Sequence, residues 1–390
     1  MIQSFSVTVR GESHVRRETP CEDASAHYDG PGMHIAVVSD GHGDPSCFRS
    51  SEGARLAAEV AMEQMKCFAE GLQQEREAYQ LDAPRSRKLI IDRLIASIIT
   101  TWRDQVAQHL ALNPITEEEW ASAGSFEAQY RRGEELAHIY GATLIAMLMT
   151  QDFFLALHQG DGRCICIRPN GRIDQPVPWD EQCVGNVCTS LCSDDAAQGC
   201  RSLYIDLRRE PLSAAFACTD GVEDSLSSLE HTNAFIGALA GDFVQLGAEG
   251  FMDNLREVLP EMSRQGSQDD ISIAGFACAE TLKPLQPMLL LRSDLMKYQA
   301  ERDRAQARIS SMQRKKAYLE NRCLTAWGEA ADNCRTELDA FMAEYQEVEQ
   351  RLAHYAAKVQ ETQAVLTRHG VPVRMRRSHR RPRLQQKHEE

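Results

Sequence analysis

The sequence predicts an α+β domain followed by a helical C-terminal region, and three observations support this prediction. Short apolar or alternating runs bounded by turn residues indicate strands in the first part of the chain. Two long stretches with three-to-four apolar spacing follow one another directly, which favours α+β over a sheet whose strands alternate with helices. After residue 287 a sustained three-four repeat takes over, and no proline interrupts it before Pro372.

The strands and helices of the first part are predicted from local pattern. Short runs predict strands at Ile35–Ser39, Phe153–His158, Arg163–Arg168, Ser202–Asp206, Ala214–Cys218 and Ile271–Ala277. Spacing of Ala, Leu, Ile and Met predicts helices at Ser51–Glu70 and Ser86–Leu112.

Composition excludes several classes of protein. The 390 residues are 43% hydrophobic and 26% charged, with a net charge of −14, which is typical of a globular chain. This excludes a wholly disordered chain, a collagen-like repeat and a small disulfide scaffold. Met1–Ser13 has no long apolar run, so we expect no secretory signal, and Ile139–Met149 is too short to cross a bilayer. Thirteen cysteines without a signal segment indicate mostly free thiols in a reducing, cytoplasmic setting.

Charge and proline place a domain boundary near residue 285. Residues 288–390 hold 20 Lys and Arg against 14 Asp and Glu, whereas residues 1–287 hold 23 against 43. Pro284 and Pro287 flank a short link, and such a pair breaks helix and sheet alike. We therefore expect four parts: a catalytic-type domain at 1–283, a linker at 284–287, a helical region at 288–368 and a basic, disordered tail at 369–390.

The helical region contains two apolar series that are out of phase across Gly328–Asn333. This fits two long helices that fold back as a hairpin, or one coiled-coil helix with a stutter. Either way, the apolar stripes need a partner, which is each other or another chain. In the tail, the basic run Arg374–Arg383 is typical of a solvated tail, and we favour that interpretation over nucleic-acid binding.

Carboxylates stand five times where a strand begins or ends. They are Glu22-Asp23, Asp40, Asp161, Asp220 with Asp224, and Asp269-Asp270. Strand ends on one rim of a sheet can bring such side chains together, and clustered carboxylates repel unless a cation neutralises them. Hard divalent cations prefer oxygen ligands, so the pattern indicates magnesium or manganese. The irregular spacing of Cys183, Cys188, Cys192 and Cys200 argues against a competing zinc site.

These motifs, in this order, resemble those of the metal-dependent type 2C Ser/Thr protein phosphatases, most closely the bacterial branch. The matching motifs are Gly11-Glu-Ser-His14, Cys21-Glu22-Asp23, Ser39-Asp40-Gly41-His42-Gly43, Gly141-Ala-Thr143, Gly160-Asp161-Gly-Arg163, Thr219-Asp220-Gly221-Val-Glu-Asp224 and Gln268-Asp269-Asp270-Ile-Ser272. The resemblance covers about residues 1–280 and implies two antiparallel β-sheets packed as a sandwich, with helices outside and the metal site at one end.

The resemblance also implies site residues and cofactors. Asp40 would bridge two Mn²⁺ or Mg²⁺ ions, and Glu22 and the Gly41 carbonyl would complete the coordination of one of these ions. Asp220 and Asp269 would hold the other ion, and Asp161 and Asp224 would join Asp220 at a weaker third site. His42 stands at the position of the proposed general acid.

The mechanism that this implies needs no covalent intermediate. Two metals about 4 Å apart lower the pKa of a bridging water, and the resulting hydroxide attacks phosphorus in line. The leaving serine or threonine oxygen takes a proton from an imidazolium such as His42.

One position departs from the family pattern. A phosphate-binding arginine commonly stands four residues before the metal glutamate, and here that residue is Glu18. Arg17, Arg16 and His14 are the nearby candidates for the phosphate contact.

The segment Pro176–Arg201 corresponds in position to a mobile flap of the family. In this chain it is either a substrate-selecting element or an ordinary surface loop.

Three hypotheses follow for function. The first is a metal-dependent phosphatase acting on phosphoserine and phosphothreonine in proteins. The alternative is a catalytically weak phosphatase-like scaffold that works through its C-terminal helices. The third concerns those helices only: they form a homodimer, or they hold a cognate Ser/Thr kinase or a sensor whose phosphates the enzyme removes. No membrane or nucleic-acid partner is expected.

Overall fold

The computed structural model describes residues 1–74, 81–183, 187–226 and 228–368. Within these residues, ten strands form two five-stranded antiparallel sheets. The strands are β1 (Ile2–Val9), β2 (Asp23–Gly30), β3 (Met33–Asp40), β4 (Leu144–Thr150), β5 (Phe153–Gln159), β6 (Arg163–Ile167), β7 (Ile173–Asp174), β8 (Arg201–Asp206), β9 (Ala214–Cys218) and β10 (Ile271–Cys278). One sheet has the order β1-β10-β9-β6-β7 and the other β2-β3-β4-β5-β8.

Helices precede, connect and follow these strands. They are α1 (Glu12–Arg17), α2 (Ser50–Gln74), α3 (Pro84–Leu112), α4 (Glu117–Ser122), α5 (Glu127–Arg131), α6 (Ala196–Gly199), α7 (Asp220–Asp224), α8 (Leu229–Gln265), α9 (Ala279–Leu282), α10 (Gln286–Thr325) and α11 (Glu329–Arg368). The described chain divides into two compact units, one covering Met1–Gln286 and the other beginning at Pro287.

The core of the first unit has two layers, because alternate residues of a strand face opposite sides of its sheet. Ala36 and Val38 of β3 join the apolar cluster that fills the space between the two sheets. Ile35 and Val37 point the other way and pack with α2 and α3. Both faces of the sheet are therefore buried, which explains why its strands appear in the sequence as nearly continuous apolar runs.

The opposite face of the first sheet is covered by α8. Phe5 of β1 contacts Phe243 and Phe251 of α8 with ring centroids 5.8 and 4.9 Å apart. The helix changes direction at Gly247, whose φ of 70° is a left-handed conformation that favours glycine. The result is a four-layer arrangement of helix, sheet, sheet and helix, which confirms the predicted sandwich.

All six predicted strands are present with boundaries within two residues, and both predicted helices are present but longer. The sequence reasoning missed β1, β2, β4 and the short β7, as well as α8. Several of these have weak patterns: β2 is mostly half-buried and β7 has two residues.

The second unit contains α10 and α11, which pack closely against each other. Ile309, Met312 and Leu319 of α10 form one apolar cluster with Phe341 and Tyr345 of α11. The two helices are separated by a non-helical turn at residues 326–328, in which Gly328 has a φ of 59°. The hairpin is thereby confirmed over the single helix with a stutter, and the two stripes partner each other. The predicted tail at 369–390 lies outside the described residues.

A disulfide joins Cys323 and Cys334 near the turn of the hairpin, with a Cα–Cα distance of 5.5 Å. The other eleven cysteines are free. None of the described helices has the length and hydropathy required to cross a membrane.

Candidate active site

Strand register brings three of the predicted acidic motifs to one end of the first sheet. Cys218, the last residue of β9, pairs with Ile273 of β10 and with Arg163 of β6. The residues just after β9, just before β10 and just before β6 therefore meet at one rim. Asp220, Asp269 and Asp161 occupy those three places.

The second sheet contributes Asp40 at the same end of the sandwich. Asp40 ends β3, and Thr143, just before β4, fixes its backbone through two hydrogen bonds. The Asp40 amide donates to Thr143 Oγ1 at 3.0 Å, and the Thr143 amide donates to the Asp40 carbonyl at 2.8 Å. Thr143, which belongs to one of the matching motifs, therefore anchors the backbone of Asp40.

The carboxylates lie close enough to perturb one another. Burial, followed by the charges of Asp23 and Asp220, raises the pKa of Asp40 well above its usual range, and Asp269 and Asp161 act in the same direction. Burial and the charges of Asp161, Asp224 and Asp269 raise the pKa of Asp220 to about 7. The Asp40 and Asp220 side chains share a hydrogen bond.

Glu22 and Gly41 lie together beside this group. The Gly41 amide donates to the Glu22 carbonyl at 3.0 Å, and Ser50 Oγ donates to Glu22 Oε1 at 3.0 Å. A Cβ at residue 41 would lie 2.7 Å from the Glu22 carbonyl oxygen, so only glycine allows this approach. Burial raises the pKa of Glu22, opposed by the hydrogen bond from Ser50.

Asp23 and Asp270 are buried members of the site; the sequence predicts a supporting or outer-sphere role for Asp23 and only membership of an acidic motif for Asp270. Asp270 accepts hydrogen bonds from the amides of Gly11 and Glu22, both at 2.5 Å. Asp23 accepts one from Thr219 Oγ1 at 2.8 Å. Through these hydrogen bonds, the two side chains connect the residues that follow β1, precede β2 and follow β9. The signal for both was the acidic doublet, in which one residue faces outward and its neighbour inward.

The three candidates for phosphate contact have different surroundings. His14 is 13% exposed and lies between Asp270 (Nδ1 to Oδ1, 2.9 Å) and Glu22 (Nε2 to Oε2, 3.7 Å). Arg16 is 60% exposed and pairs with Glu12 at 3.0 Å, and Arg17 is exposed. The structure thus brings His14 to the acidic group, whereas the two arginines stay at the surface.

His42 follows Gly41 and is half-buried. Its backbone amide donates to the Gly141 carbonyl at 3.0 Å, and its Nδ1 lies 3.5 Å from Cys188 Sγ. Burial lowers the pKa of His42, while the Asp161 carboxylate opposes that change.

The loop that carries Asp161 is held by two arginines. Arg201 donates to the Pro178 carbonyl at 2.7 Å and to the carbonyl of Gly160, and Arg163 stacks over Trp179 with its guanidinium carbon 4.1 Å from the ring centroid. These contacts attach the described part of the segment Pro176–Arg201 to the acidic end of the sandwich. Asp161 is buried, whereas Asp224 is exposed.

The donor set is suited to hard divalent cations. Its side chains offer only oxygen, and positive charge among them would relieve the repulsion that raises their pKa values. Within residues 1–74, 81–183, 187–226 and 228–368, no group of three or more His, Cys, Asp or Glu side chains has a geometry that could already hold a metal ion. Asp40 and Asp220 instead hydrogen-bond to each other, which is another way of relieving the same repulsion.

Comparison with known structures gives three distant likenesses, two of them to proteins described as phosphatases. Stp1 from Staphylococcus aureus, a serine/threonine phosphatase, is 15% identical over 71% of this chain and 95% of its own, with a TM-score of 0.43. RsbX in complex with magnesium is 14% identical over 71% and 94%, with a TM-score of 0.36. The catalytic domain of the phosphatase PstP in complex with two manganese ions is 15% identical over 71% and 97%, with a TM-score of 0.38. No curated protein sequence matches the chain.

A family model gives the decisive match. The model described as protein phosphatase 2C matches residues 10–260, which is more than half of the chain and spans all but the last of the acidic motifs. The observed pair of antiparallel sheets is the fold that the sequence resemblance implied. The chain therefore belongs to the protein phosphatase 2C family, the metal-dependent Ser/Thr protein phosphatases.

Proposed function

We propose that the chain hydrolyses phosphoserine and phosphothreonine in proteins at a two-metal centre. The observation that carries this proposal is the convergence of Asp40, Asp220 and Asp269 from three strand ends, so close that the Asp269 charge adds to burial in raising the pKa of both Asp40 and Asp220. Like charges brought this close together destabilise a protein unless something compensates for their repulsion. Family membership supplies the reaction class.

The proposed assignment of residues to ions follows the family resemblance. Asp40 would bridge both ions, Glu22 and the Gly41 carbonyl would hold one, and Asp220 with Asp269 would hold the other. Asp161 and Asp224 would join Asp220 around a third, weaker ion. When bound, Mn²⁺ or Mg²⁺ would supply an activated water nucleophile and positive charge opposite the phosphoryl oxygens.

The chain's own contribution is to hold these carboxylates in place before any ion arrives. Thr143 fixes the Asp40 backbone, Ser50 orients Glu22, and Asp270 clamps the backbone amide of Glu22. Such supporting contacts limit how far each ligand can move, which raises affinity and keeps the reacting groups in register. The carboxylates with raised pKa values would lose their protons as cations bind.

His42 would protonate the leaving oxygen of serine or threonine, because an alkoxide is too basic to leave unaided.

The phosphate of the substrate would be bound by Arg17 or Arg16, whose guanidinium groups can make two parallel hydrogen bonds to it. His14 is the third candidate for this contact, although it already touches Glu22 and Asp270.

The proposal is tested by hydrolysis of a phosphothreonine peptide with and without manganese. We expect metal-dependent turnover in the wild type and its loss in Asp40→Asn and Asp220→Asn. Asp253→Asn is the matched control, because Asp253 is 69% exposed on α8 and should leave turnover unchanged. Absence of metal-dependent turnover in the wild type would refute the proposal.

Family membership does not favour the alternative of a catalytically weak scaffold. The hairpin remains the part that we assign to a partner, whether a cognate kinase or a second copy of the chain. Leu324 and Trp327 near its turn are 84% and 89% exposed, which is unusual for large apolar side chains. Light scattering of the full chain, compared with a Leu324→Ser/Trp327→Ser variant, tests self-association: equal masses would exclude a dimer formed through this turn.

We propose a reducing, cytoplasmic location from the eleven free cysteines, whereas the Cys323–Cys334 disulfide is the one feature of the described residues that favours an oxidising compartment. Alkylation of intact cells with a membrane-impermeant thiol reagent, compared with a membrane-permeant one, would test it: a cytoplasmic protein should react only with the permeant reagent. The thiols counted in this way are expected to include Cys67, which is exposed.

A further inference from the structure

The imidazole of His42 is held on two sides by residues from other parts of the chain. Its Nδ1 lies 3.5 Å from the thiol of Cys188, which belongs to the flap. Its Cδ2 edge lies against Gly141, where an added Cβ would come within 2.5 Å of that carbon. These contacts leave Nε2 as the ring nitrogen that they do not engage.

The position of Cys188 is itself fixed by its neighbours in sequence. Thr189 Oγ1 donates to Asp180 Oδ2 at 2.7 Å and accepts from the Gly160 amide at 3.0 Å. Ser190 Oγ exchanges hydrogen bonds with the backbone of Ala142, at 3.1 and 3.2 Å. The segment after Cys188 is therefore attached both to the turn that carries Asp161 and to the residue next to Gly141.

We propose that Cys188 is a positioning residue for His42: its sulfur accepts a hydrogen bond from Nδ1–H, so that the proton is delivered from Nε2. This inference rests on the proposed role of His42 as the general acid. It assigns a role in catalysis to the described part of the flap, which the sequence analysis left open between a substrate-selecting element and a surface loop.

The chemistry of the imidazolium ring requires this direction. In the charged ring both nitrogens carry hydrogen, so the Nδ1–H must donate and the thiol sulfur must accept. As the P–O bond to the serine or threonine oxygen breaks and the bond from water to phosphorus forms, the Nε2 proton passes to the leaving oxygen. The ring is then neutral with its remaining hydrogen on Nδ1, still bonded to Cys188. The proton lost by the attacking water restores the imidazolium through solvent.

Cys188 is poorly suited to act as a nucleophile itself. Burial, reinforced by the nearby charges of Asp161 and Asp40, raises the pKa of its thiol above the usual range. A thiol that stays protonated is a weak acceptor. It can orient a ring without forming a strong pair that would hold the ring permanently charged.

Two substrates with different leaving groups separate positioning from simple loss of structure. A phosphothreonine peptide leaves as an alkoxide and needs a proton, whereas 4-nitrophenyl phosphate leaves as a stabilised phenolate and does not. On the peptide we expect Cys188→Ala to lower kcat about tenfold with KM unchanged, against about a hundredfold for His42→Gln. With the aryl ester both variants should stay within about twofold of wild type, because no acid is needed there.

Cys188→Ser keeps an acceptor at this position and should recover most of the lost kcat on the peptide. Gly141→Ala, which pushes the ring edge, should show the same preference for the aryl ester as Cys188→Ala. Cys67→Ala, at an exposed free cysteine on α2, is the matched control and should behave as wild type on both substrates.

The outcomes distinguish this inference from the proposed function. If His42→Gln is selective for the peptide but Cys188→Ala is not, the positioning role is wrong and the general acid stands. If His42→Gln affects both substrates equally, His42 is not the acid and both ideas fail at that residue. Equal losses on both substrates in Cys188→Ala would show a purely structural effect and overturn the inference.

Discussion

Asp23 and Asp40 stand directly opposite each other across β2 and β3, at the end of the sandwich where the acidic residues collect. Burial raises the pKa of each carboxyl well above its usual range; the charge of Asp23 adds to this effect at Asp40, and the charge of Asp270 adds to it at Asp23. The pair therefore places two carboxyl groups with raised pKa values side by side in the metal-free protein, and we expect it to lower the stability of that form.

Replacing Asp40 by asparagine should therefore stabilise the metal-free protein while abolishing turnover. We expect a gain on the order of 2 kcal/mol at pH 8, because one buried charge is removed and the amide can still hydrogen-bond Asp220. Thermal melts with and without manganese measure this. Manganese should raise the melting temperature of the wild type but not that of the variant. A variant less stable than wild type without metal would show that repulsion is not what limits stability here.

His14→Gln should weaken manganese binding rather than substrate binding. His14 contacts Glu22 and Asp270, so its loss frees a side chain that we assign to a metal ion. We expect about a tenfold rise in the Kd for manganese by calorimetry, with an unchanged KM for the phosphopeptide once metal is saturating. His34→Gln, at a histidine paired with Asp29, is the control. A raised KM with unchanged manganese affinity would instead make His14 a phosphate contact.

Gly221→Ala should damage the site through packing. A Cβ there would lie 2.1 Å from the Asp270 carbonyl oxygen, a backbone atom that cannot rotate away as a flexible side chain could. We expect a loss of about 3 kcal/mol in the free energy of unfolding, together with weaker metal binding. Gly250→Ala in α8 meets nothing closer than 3.4 Å and should be neutral or stabilising by up to about 1 kcal/mol. Similar melting temperatures for the two variants would contradict this packing argument.

The ion pair between Arg49 and Glu119 should make stability depend on acidic pH. Arg49 donates from Nε and Nη2 to the two Glu119 oxygens, at 2.7 and 2.9 Å, and these bonds hold the pKa of Glu119 at about 2. Because the folded pKa lies below the unfolded one, the contribution is complete above about pH 4.5 and is lost as the pH falls towards about 2.

Glu119→Gln should therefore cost about 2 kcal/mol at pH 7, and the difference from wild type should shrink between pH 4.5 and 2.5. Urea denaturation at a series of pH values measures it. Glu117→Gln, whose side chain is 82% exposed beside Arg131, should change stability little at any of these pH values. A Glu119→Gln difference that stays constant with pH would mean that the carboxylate charge is not responsible.

The Cys323–Cys334 disulfide should stabilise the hairpin, since it closes a loop with a sequence separation of 11. Loop-closure entropy gives about 3 kcal/mol for a loop of this size. Circular dichroism melts of the full chain should show a lower helical transition for Cys323→Ser/Cys334→Ser, and a thiol reductant should shift wild type to the same position. The double variant itself should not respond to reductant, and a wild-type melt insensitive to reductant would refute the effect.

Order and spacing of residues were sufficient to predict the family, the sandwich and the acidic motifs. Apolar strands such as Ala214–Cys218 were recognisable because both faces of their sheet are buried, so their pattern is nearly continuous. The phase shift between the two apolar series predicted either a hairpin or one helix with a stutter, and the packing of α10 against α11 decided between them. Half-buried β2 and the kinked α8 lack such patterns and were missed.

The tertiary structure decided which carboxylates face outward and what touches them. Asp269 and Asp270 are adjacent in sequence, yet one is exposed and the other accepts two backbone hydrogen bonds in the interior. Likewise, nothing local indicates that Cys188 meets His42, because 146 positions separate them in the chain. Local composition determines which segments form strands and helices, whereas contacts between distant residues depend on the register of strands and the path of loops, and only the folded chain fixes those.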